Sequence, residues 1–200
     1  MLKPFHTAGI LECGCDEAGR GCIAGPVFAA AVILPDHFAH PLLNDSKKLA
    51  PKARKMLRLM VEAESIAYGV GVASEKEIDQ INILNASILA MHRAVDQLHV
   101  VPEHLIIDGN RFRPYGTIPF DCVVRGDATY ASIAAASVLA KTHRDEFMEV
   151  LHDQYPGYGW NRNKGYPTRS HRAALANIGP CEHHRRSFRL LDDQMQITFS

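Results

Sequence analysis

The stretch that most constrains the fold is an unbroken apolar run from Val27 to Leu34. Such a run, with Gly25-Pro26 before it and Pro35-Asp36 after it, is typical of a central β-strand that is covered on both faces. A shorter apolar run, Ile10 to Cys15, precedes it and predicts a second buried strand that pairs with it in antiparallel fashion. We therefore expect an α/β protein built around a buried sheet.

The remaining sequence carries further strand and helix patterns. Additional strands are predicted at Ser65 to Ala73, at the apolar residues from His104 to Ile107 and at Phe120 to Val124. Helices are predicted at Pro51 to Glu64, after a capping sequence that begins at Ser74, along a helical apolar pattern from Asn82, from Ala131 toward Tyr155, and at Ser170 to Asn177. With 200 residues and 46% hydrophobic content, the chain suits one globular domain.

Overall charge gives no indication of the partner. Lysine and arginine together number 22, as do aspartate and glutamate, so any basic surface must be local. This balance neither supports nor excludes a polyanionic partner.

The five cysteines and the first residues indicate a cytoplasmic protein. The cysteine count is odd and no Cys-x-x-Cys pair occurs, so we expect reduced, buried thiols. A zinc site at Cys13, Cys15 and Cys22 is the less favoured alternative, because the spacing fits no common pattern. The amino terminus lacks an apolar signal core, and the longest apolar run is too short to span a bilayer, so we expect no membrane association.

Two adjacent acids, Asp16 and Glu17, are followed at once by a glycine-flanked arginine, Gly19-Arg20-Gly21. They come where the first predicted strand ends, which is where an α/β sheet presents its chemistry. Buried carboxylates need neutralisation, and a divalent cation is the usual means. Glycines let the backbone approach a ligand, and an arginine offers donors suited to phosphate. The pattern indicates phosphodiester chemistry, with an acidic turn that merely ends a strand as the alternative.

Two more acids follow in comparable positions. Asp108 comes directly after apolar strand residues and before a glycine, and Asp127 comes where a helix begins. An acid at a helix start is also an ordinary capping choice, so Asp127 alone carries little weight. Four such acids, if they converge, would hold two Mg²⁺ or Mn²⁺ ions and leave coordination positions for a scissile phosphate and water.

Three cationic stretches each allow two interpretations. Lys47-Lys48 either meets a phosphate or is simply solvated. The loop from Pro156 to Thr168 is dense in glycine, aromatic residues and cations, and its rings either stack on sugars or bases or pin the loop to the domain. The histidines and arginines of Cys181 to Phe188 are interpreted as a basic face rather than a metal site.

Six motifs follow one another along the chain. They are Asp16-Glu17-Ala18-Gly19-Arg20-Gly21 with Gly25-Pro26-Val27, Asp45-Ser46-Lys47-Lys48-Leu49, Ile107-Asp108-Gly109-Asn110, Gly126-Asp127 with Ser132-Ile133-Ala134-Ala135-Ala136-Ser137 and Ala140-Lys141, Lys164-Gly165-Tyr166-Pro167-Thr168, and His184-Arg185-Arg186-Ser187-Phe188. In order and spelling they resemble bacterial ribonuclease HII, and the match runs from about Gly9 to Phe188.

The resemblance implies a ribonuclease H-like fold, with a mixed central sheet flanked by helices and a helical carboxy-terminal portion. It implies a catalytic domain over residues 1–188 and a tail over residues 189–200. It also implies cleavage of RNA in RNA/DNA hybrids and of single ribonucleotides embedded in duplex DNA. The expected cut is 5′ to the ribonucleotide, uses two Mn²⁺ or Mg²⁺ ions, and leaves 5′-phosphate and 3′-hydroxyl ends.

The same resemblance implies roles for particular residues. The implied catalytic metal ligands are Asp16, Glu17, Asp108 and Asp127. The implied substrate contacts are Gly19, Arg20 and Gly21 on the 2′-hydroxyl at the RNA-to-DNA junction, Ser46, Lys47 and Lys48 on backbone phosphate, and Tyr166 on the sugar of the following deoxynucleotide.

The last residues add a second resemblance. Gln194 to Phe199 resembles the short glutamine-led peptide by which bacterial replication proteins dock on the sliding clamp, and a frayed terminus is the alternative.

Three competing functions stay open. Two are related nucleases, ribonuclease HIII and a Holliday-junction resolvase, and the third is an inert hybrid-binding module. No amino-terminal binding domain precedes Asp16, and Tyr166 lies in the expected loop, which argues against ribonuclease HIII. An inert module would not need all four acids.

Overall fold

The computed structural model describes residues 2–43 and 50–191, and these residues form a mixed five-stranded sheet. The strands are β1 (Glu12–Ala18), β2 (Val27–Ile33), β3 (Ala67–Ala73), β4 (His104–Asp108) and β5 (Phe120–Val123). Their order in the sheet is β3-β2-β1-β4-β5. The β1–β2 and β2–β3 pairs are antiparallel, and the β1–β4 and β4–β5 pairs are parallel. The predicted antiparallel pairing of the first two strands is confirmed.

Helices flank this sheet, and most of them lie close to where the sequence predicts them. They are α1 (Pro51–Glu64), α2 (Glu75–Val95), α3 (Ala131–Gln154), the short α4 (Trp160–Asn163) and α5 (Arg169–Ile178). In the described part of the chain, none of them is both long and apolar enough to cross a bilayer.

The beginning of α2 differs from the sequence pattern in an informative way. The helix begins after Ser74, whose side chain and that of Glu77 cap each other's backbone amides. Asn82, where the apolar pattern begins, is a kink with a φ of 66°, and its side-chain oxygen accepts the amide of Asn85. Asn82 therefore caps the second half of a helix that the capping box at Ser74 has already begun.

The two faces of the sheet are covered by different helices. Strand β2 is buried along its whole length, as its apolar run predicts. One face packs against α2, and the other packs against α3 and α1. A methyl group at Gly14 would lie 2.3 Å from the backbone carbon of Ser132, so the start of α3 lies directly against the middle of β1. This close contact fixes where the rest of α3 meets the sheet.

The segment from Pro156 to Thr168 is not the exposed aromatic loop that its composition suggests. Trp160 is fully buried and begins α4, and Tyr158 is 7% exposed. Both rings pack with Met148 and Leu175 in a small carboxy-terminal core. The interpretation in which the rings pin the segment to the domain is therefore confirmed for Tyr158 and Trp160.

Candidate active site

Three of the four predicted acids come from the ends of two neighbouring parallel strands. Asp16 and Glu17 lie in the last three residues of β1, which runs on to Ala18, so they sit at the end of a buried strand as predicted. Asp108 is the last residue of β4, and the pairing of Cys15 with Ile107 places it beside Asp16. Successive side chains of a strand point to opposite faces, so Asp16 faces α3 and Glu17 faces α2.

The side chains of these three acids line one cleft of about 410 Å³. Its lining combines carboxylates, glycines, cations and one aromatic ring. The lining residues are Asp16, Glu17, Ala18, Gly19, Arg20, Gly21, Arg54, Asp108, Ser137, Val138, Lys141 and Tyr166. The structure thus brings together predicted site residues that are as much as 150 positions apart in the sequence.

The electrostatics of the cleft favour a bound cation. Asp16 is only 4% exposed, and its pKa is raised well above the usual value by burial and by the charges of Glu17 and Asp108. The Ser137 hydroxyl and the Glu17 amide, 2.7 Å from its Oδ1, act in the opposite direction. Burial also raises the pKa of Glu17, which Arg20 opposes. An all-oxygen set of crowded carboxylates fits a hard divalent ion such as Mg²⁺ or Mn²⁺.

Asp127 lies next to this group without lining the cleft. It sits in a single 3₁₀ turn, Gly126–Ala128, and is half-buried. The amide of Gly126 donates to Asp108 Oδ1 over 2.7 Å, which fixes the turn against the end of β4. Within residues 2–43 and 50–191, the acids do not form a trio whose ligand atoms all lie within 4.8 Å of one another.

The glycine-flanked arginine forms the rim beside the acids. Arg20 is about half exposed and donates to Glu17 Oε1 over 3.0 Å. Gly19 has a φ of +98°, and a methyl group there would lie 2.1 Å from Arg144 Nε. The turn therefore requires glycine at this position for both conformation and space.

Tyr166 reaches the cleft from the carboxy-terminal part of the chain. Its ring is 38% exposed, with Lys141 Nζ 5.5 Å and the Arg144 guanidinium 5.9 Å from the ring centre. The amide of Ile23 donates to the carbonyl of Gly165 over 2.9 Å, which ties this loop to the segment after the glycine turn. Burial is the main cause of the raised pKa of Tyr166.

Two buried arginines hold these loops together, and sequence reasoning missed both. Arg144 donates to the carbonyls of Ala24, Pro26 and Lys164 at 2.9–3.1 Å. Arg185 donates to the carbonyls of Arg20 and Gly25 at 3.0 and 2.9 Å. Both side chains are fully buried.

The predicted basic face at Cys181 to Phe188 is therefore wrong in its central residues. His184 is 1% exposed and Arg185 is fully buried. Inside a protein, guanidinium groups that satisfy several backbone carbonyls act as cross-links between chain segments. The sequence gives little indication of this role, since a buried arginine and a solvated one look the same in a charged run.

Other cleft residues also lacked a predicted role. Ser137 and Lys141 belong to a motif of α3, and Arg54 belongs to α1. The predicted phosphate contacts Ser46, Lys47 and Lys48 lie outside the described residues.

Comparison with solved structures shows which fold the protein has. The fold matches ribonuclease H2 from Pyrococcus horikoshii OT3 with a TM-score of 0.73 at 24% identity, over 90% of this chain and 94% of the other. It matches the RNase HII of the PCNA:RNase HII complex from Archaeoglobus fulgidus with a TM-score of 0.73 at 23% identity, over 88% and 92% of the two chains. Bst-RNase HIII in complex with Mn²⁺ matches with a TM-score of 0.70 at 22% identity, over 92% of this chain and 69% of the other. The predicted ribonuclease H-like fold is confirmed.

Sequence comparison then gives the family. The sequence profile described as Ribonuclease HII matches residues 13–191. Ribonuclease HII of Bacteroides thetaiotaomicron is 59% identical over 200 residues, which is all of both chains. Ribonuclease HII of Porphyromonas gingivalis is 61% identical over 189 residues, or 94% of each chain. The chain belongs to the ribonuclease HII family and is thus a ribonuclease H, a metal-dependent endonuclease.

Proposed function

We propose that this enzyme cleaves RNA in RNA/DNA hybrids and single ribonucleotides embedded in duplex DNA. The cut is 5′ to the ribonucleotide and leaves 5′-phosphate and 3′-hydroxyl ends. One observation carries the proposal: acids from β1 and β4 line the same cleft as the Gly19–Gly21 turn and Tyr166. Carboxylates suited to hard metal ions and a glycine turn suited to ribose recognition thus lie side by side.

Four acids would hold two Mn²⁺ or Mg²⁺ ions, and they are Asp16, Glu17, Asp108 and Asp127. The Mn²⁺ complex of the structurally similar ribonuclease HIII supports this choice of metal. When bound, such ions stabilise charge that develops on the phosphate and make an attacking water more acidic. The Ser137 hydroxyl and the Glu17 amide orient the Asp16 carboxylate and partly oppose the rise in its pKa that burial causes.

The neighbouring turn would distinguish RNA from DNA. The 2′-hydroxyl is the group that separates the two at a given position, and backbone amides at glycines can approach it closely. Gly19, Arg20 and Gly21 form that surface on the rim of the cleft. The exposed part of the Tyr166 ring would then stack on the sugar of the next deoxynucleotide, with Lys141 beside it for phosphate.

The test is a DNA duplex that carries one ribonucleotide, incubated with Mn²⁺ or with a chelator. We expect nicking only with metal, with the ribonucleotide at the 5′ end of the downstream product. Asp16→Asn should abolish nicking without a loss of folded structure, and Glu64→Gln, at an exposed acid of α1, should nick like the wild type. Tight binding of the duplex without nicking would support the hybrid-binding module instead.

We also propose that residues 1–188 form the catalytic domain and that the tail, residues 189–200, docks on a sliding clamp through Gln194 to Phe199. That peptide lies outside the described residues. The archaeal PCNA:RNase HII complex supports the proposal, since an enzyme of the same fold assembles there with a clamp. Clamp affinity should fall when the chain is truncated after Asp193, and equal affinity of the two forms would contradict this assignment.

A further inference from the structure

A second cluster of ligand-type side chains lies at the edge of the sheet away from the cleft. His6, Glu12 and His104 each offer one ligand atom, and the three atoms all lie within 4.8 Å of one another. Glu12 begins β1 and His104 begins β4, and the two residues are paired in the parallel ladder.

This cluster is separate from the acids of the cleft. Four residues of extended strand, about 13 Å, separate Glu12 from Asp16 along β1. The contact between Gly14 and the start of α3 lies between them on the same face. An ion at one place therefore cannot share ligands with an ion at the other.

One ring nitrogen of the cluster is buried and unpaired within the described part of the chain. His104 Nδ1 has no hydrogen-bond partner among those residues, and the His104 side chain is 11% exposed. It lies 3.9 Å from Glu12 Oε2, while the other ring nitrogen lies 3.1 Å from Asp121 Oδ2. Unsatisfied buried polar atoms are rare in native proteins and call for an explanation such as an ion.

The other members of the cluster are held in place by the backbone. Glu12 is 7% exposed and accepts the amides of His6 and Thr7 at 2.8 and 2.9 Å, which leaves a lone pair on each oxygen. The His6 ring lies parallel to that of His104, with ring centres 6.0 Å apart, so the exposed His6 ring turns about its side-chain bonds before both rings direct a nitrogen lone pair at one ion. Lys3 exchanges backbone hydrogen bonds with Thr129 and Ala131, so the segment that carries His6 is attached to the start of α3.

We propose that His6, Glu12 and His104 bind one zinc-class transition-metal ion, with His104 contributing Nδ1, while Asp121 accepts a hydrogen bond from His104 Nε2 and orients the ring. Two imidazoles and a carboxylate suit Zn²⁺, whereas Mg²⁺ and Mn²⁺ prefer the oxygen ligands of the cleft. Tetrahedral bonds of about 2.0–2.2 Å place ligand atoms roughly 3.3–3.6 Å apart, so the cluster closes by about an ångström when it binds the ion. The ion fastens the amino-terminal segment to the sheet.

The experiment titrates the full chain with Zn²⁺ in saturating Mg²⁺, which occupies the carboxylate cleft. Calorimetry should give one Zn²⁺ per chain, and the thermal unfolding midpoint should rise. His104→Gln and His6→Gln should each weaken binding by at least about 10–100-fold, since loss of even an outer-shell partner has such an effect. His99→Gln, at an exposed histidine, should bind like the wild type. If His104→Gln fails to fold, the exposed His6 still provides the test.

Three results would overturn the proposal. One is the absence of saturable Zn²⁺ binding, in which case the cluster is held together by its hydrogen bonds and close polar contacts alone. Another is unchanged affinity in both variants. The third is a Co²⁺ complex with thiolate-to-metal charge transfer, which would place the ion at a cysteine such as Cys181, whose sulfur lies 3.4 Å from His184 Nδ1. None of these readouts depends on nuclease activity.

Discussion

At the scale of single residues, Gly19 connects the carboxylate cleft to the buried side chain that supports it. Its φ of +98° is unfavourable for other L-residues, and the space where a side chain would begin is filled by Arg144. Arg144 in turn satisfies three backbone carbonyls of the surrounding loops. A change at Gly19 therefore disturbs both the rim of the cleft and the arginine beneath it.

We expect Gly19→Ala to lower the free energy of unfolding by about 1–3 kcal/mol, through backbone strain and displacement of Arg144. Cleavage of the ribonucleotide-containing duplex should fall as well. Gly21→Ala is the matched control for stability, because a methyl group at Gly21 meets no atom of residues 2–43 or 50–191 within 4 Å and its φ is not positive. Urea unfolding of the three proteins checks this, and equal stability of Gly19→Ala and the wild type would contradict it.

Residue types alone predicted part of the cleft. The spelling of Asp16-Glu17 and of Asp108 after apolar residues was enough to locate the acids that meet there. Arg144 and Arg185 were missed because their role depends on which carbonyls surround them, and those carbonyls come from distant loops. Burial of a charged side chain is a property of the assembled fold.

At the scale of elements, α2 depends on an N-terminal cap that is also hydrogen-bonded to the last turn of the helix. Glu77 closes the capping box with Ser74 and forms two hydrogen bonds with Arg93, at 2.6 and 3.0 Å. The hydrogen bonds from Arg93 hold the pKa of Glu77 at about 2, below its usual 4.5. Between pH 4.5 and pH 2 the unfolded chain binds more protons at Glu77 than the folded chain does. The contribution of Glu77 to the free energy of unfolding is therefore full above about pH 4.5 and disappears as the pH falls toward 2.

Glu77→Gln should therefore lower the free energy of unfolding by about 1 kcal/mol at pH 7, a modest figure for a partly exposed ion pair and cap. The difference from the wild type should shrink steadily below pH 4.5. Urea unfolding at several pH values measures it, with Glu64→Gln as the control at an exposed acid. A difference that stays constant down to pH 2 would show that the charge of Glu77 is not the cause.

Elements were easier to predict than their limits. The apolar run of β2 and the proline at the start of α1 gave both elements close to their observed bounds. Strand β1 runs past its apolar residues because its last carboxylates face the cleft, where polarity does not oppose a strand. The short α4 was missed because glycine and aromatic content is typical of loops.

At the scale of the whole molecule, a buried pair of histidines links the carboxy-terminal core to the cleft. His171 Nε2 lies 3.0 Å from Trp160 Nε1 and 3.2 Å from His184 Nε2, and its Nδ1 lies 2.9 Å from the carbonyl of Tyr166. The amide of Cys181 donates to His184 Nδ1. These contacts need both rings neutral.

Burial is the main cause that lowers the pKa of His184 from 6.5 to about 4. The unfolded chain binds a proton more readily between these values, so stability is full above pH 6.5 and is lost as the pH falls through 4. We expect protonation of His184 to lower the free energy of unfolding by up to about 3 kcal/mol as the pH falls from 6.5 to 4. His184→Asn should be less stable at pH 7.5 with a shallower pH dependence, and an unchanged dependence would contradict this prediction.

The assembly of the site could not be derived from residue patterns alone. Strand ends locate acids on a sheet, but the pairing of β1 with β4 decides that Asp16 and Asp108 are neighbours. Family resemblance supplied the order of motifs, and the fold supplied the contacts that give them a common cleft. The His6, Glu12 and His104 cluster was invisible in the sequence for the same reason, since its members meet only through the sheet register.

The most direct measurement is anomalous scattering from a crystal soaked in Mn²⁺. We predict manganese peaks against the carboxylates of Asp16, Glu17, Asp108 and Asp127, beside the turn at Gly19. A cleft without manganese, with the carboxylates directed to separate surfaces, would contradict the account.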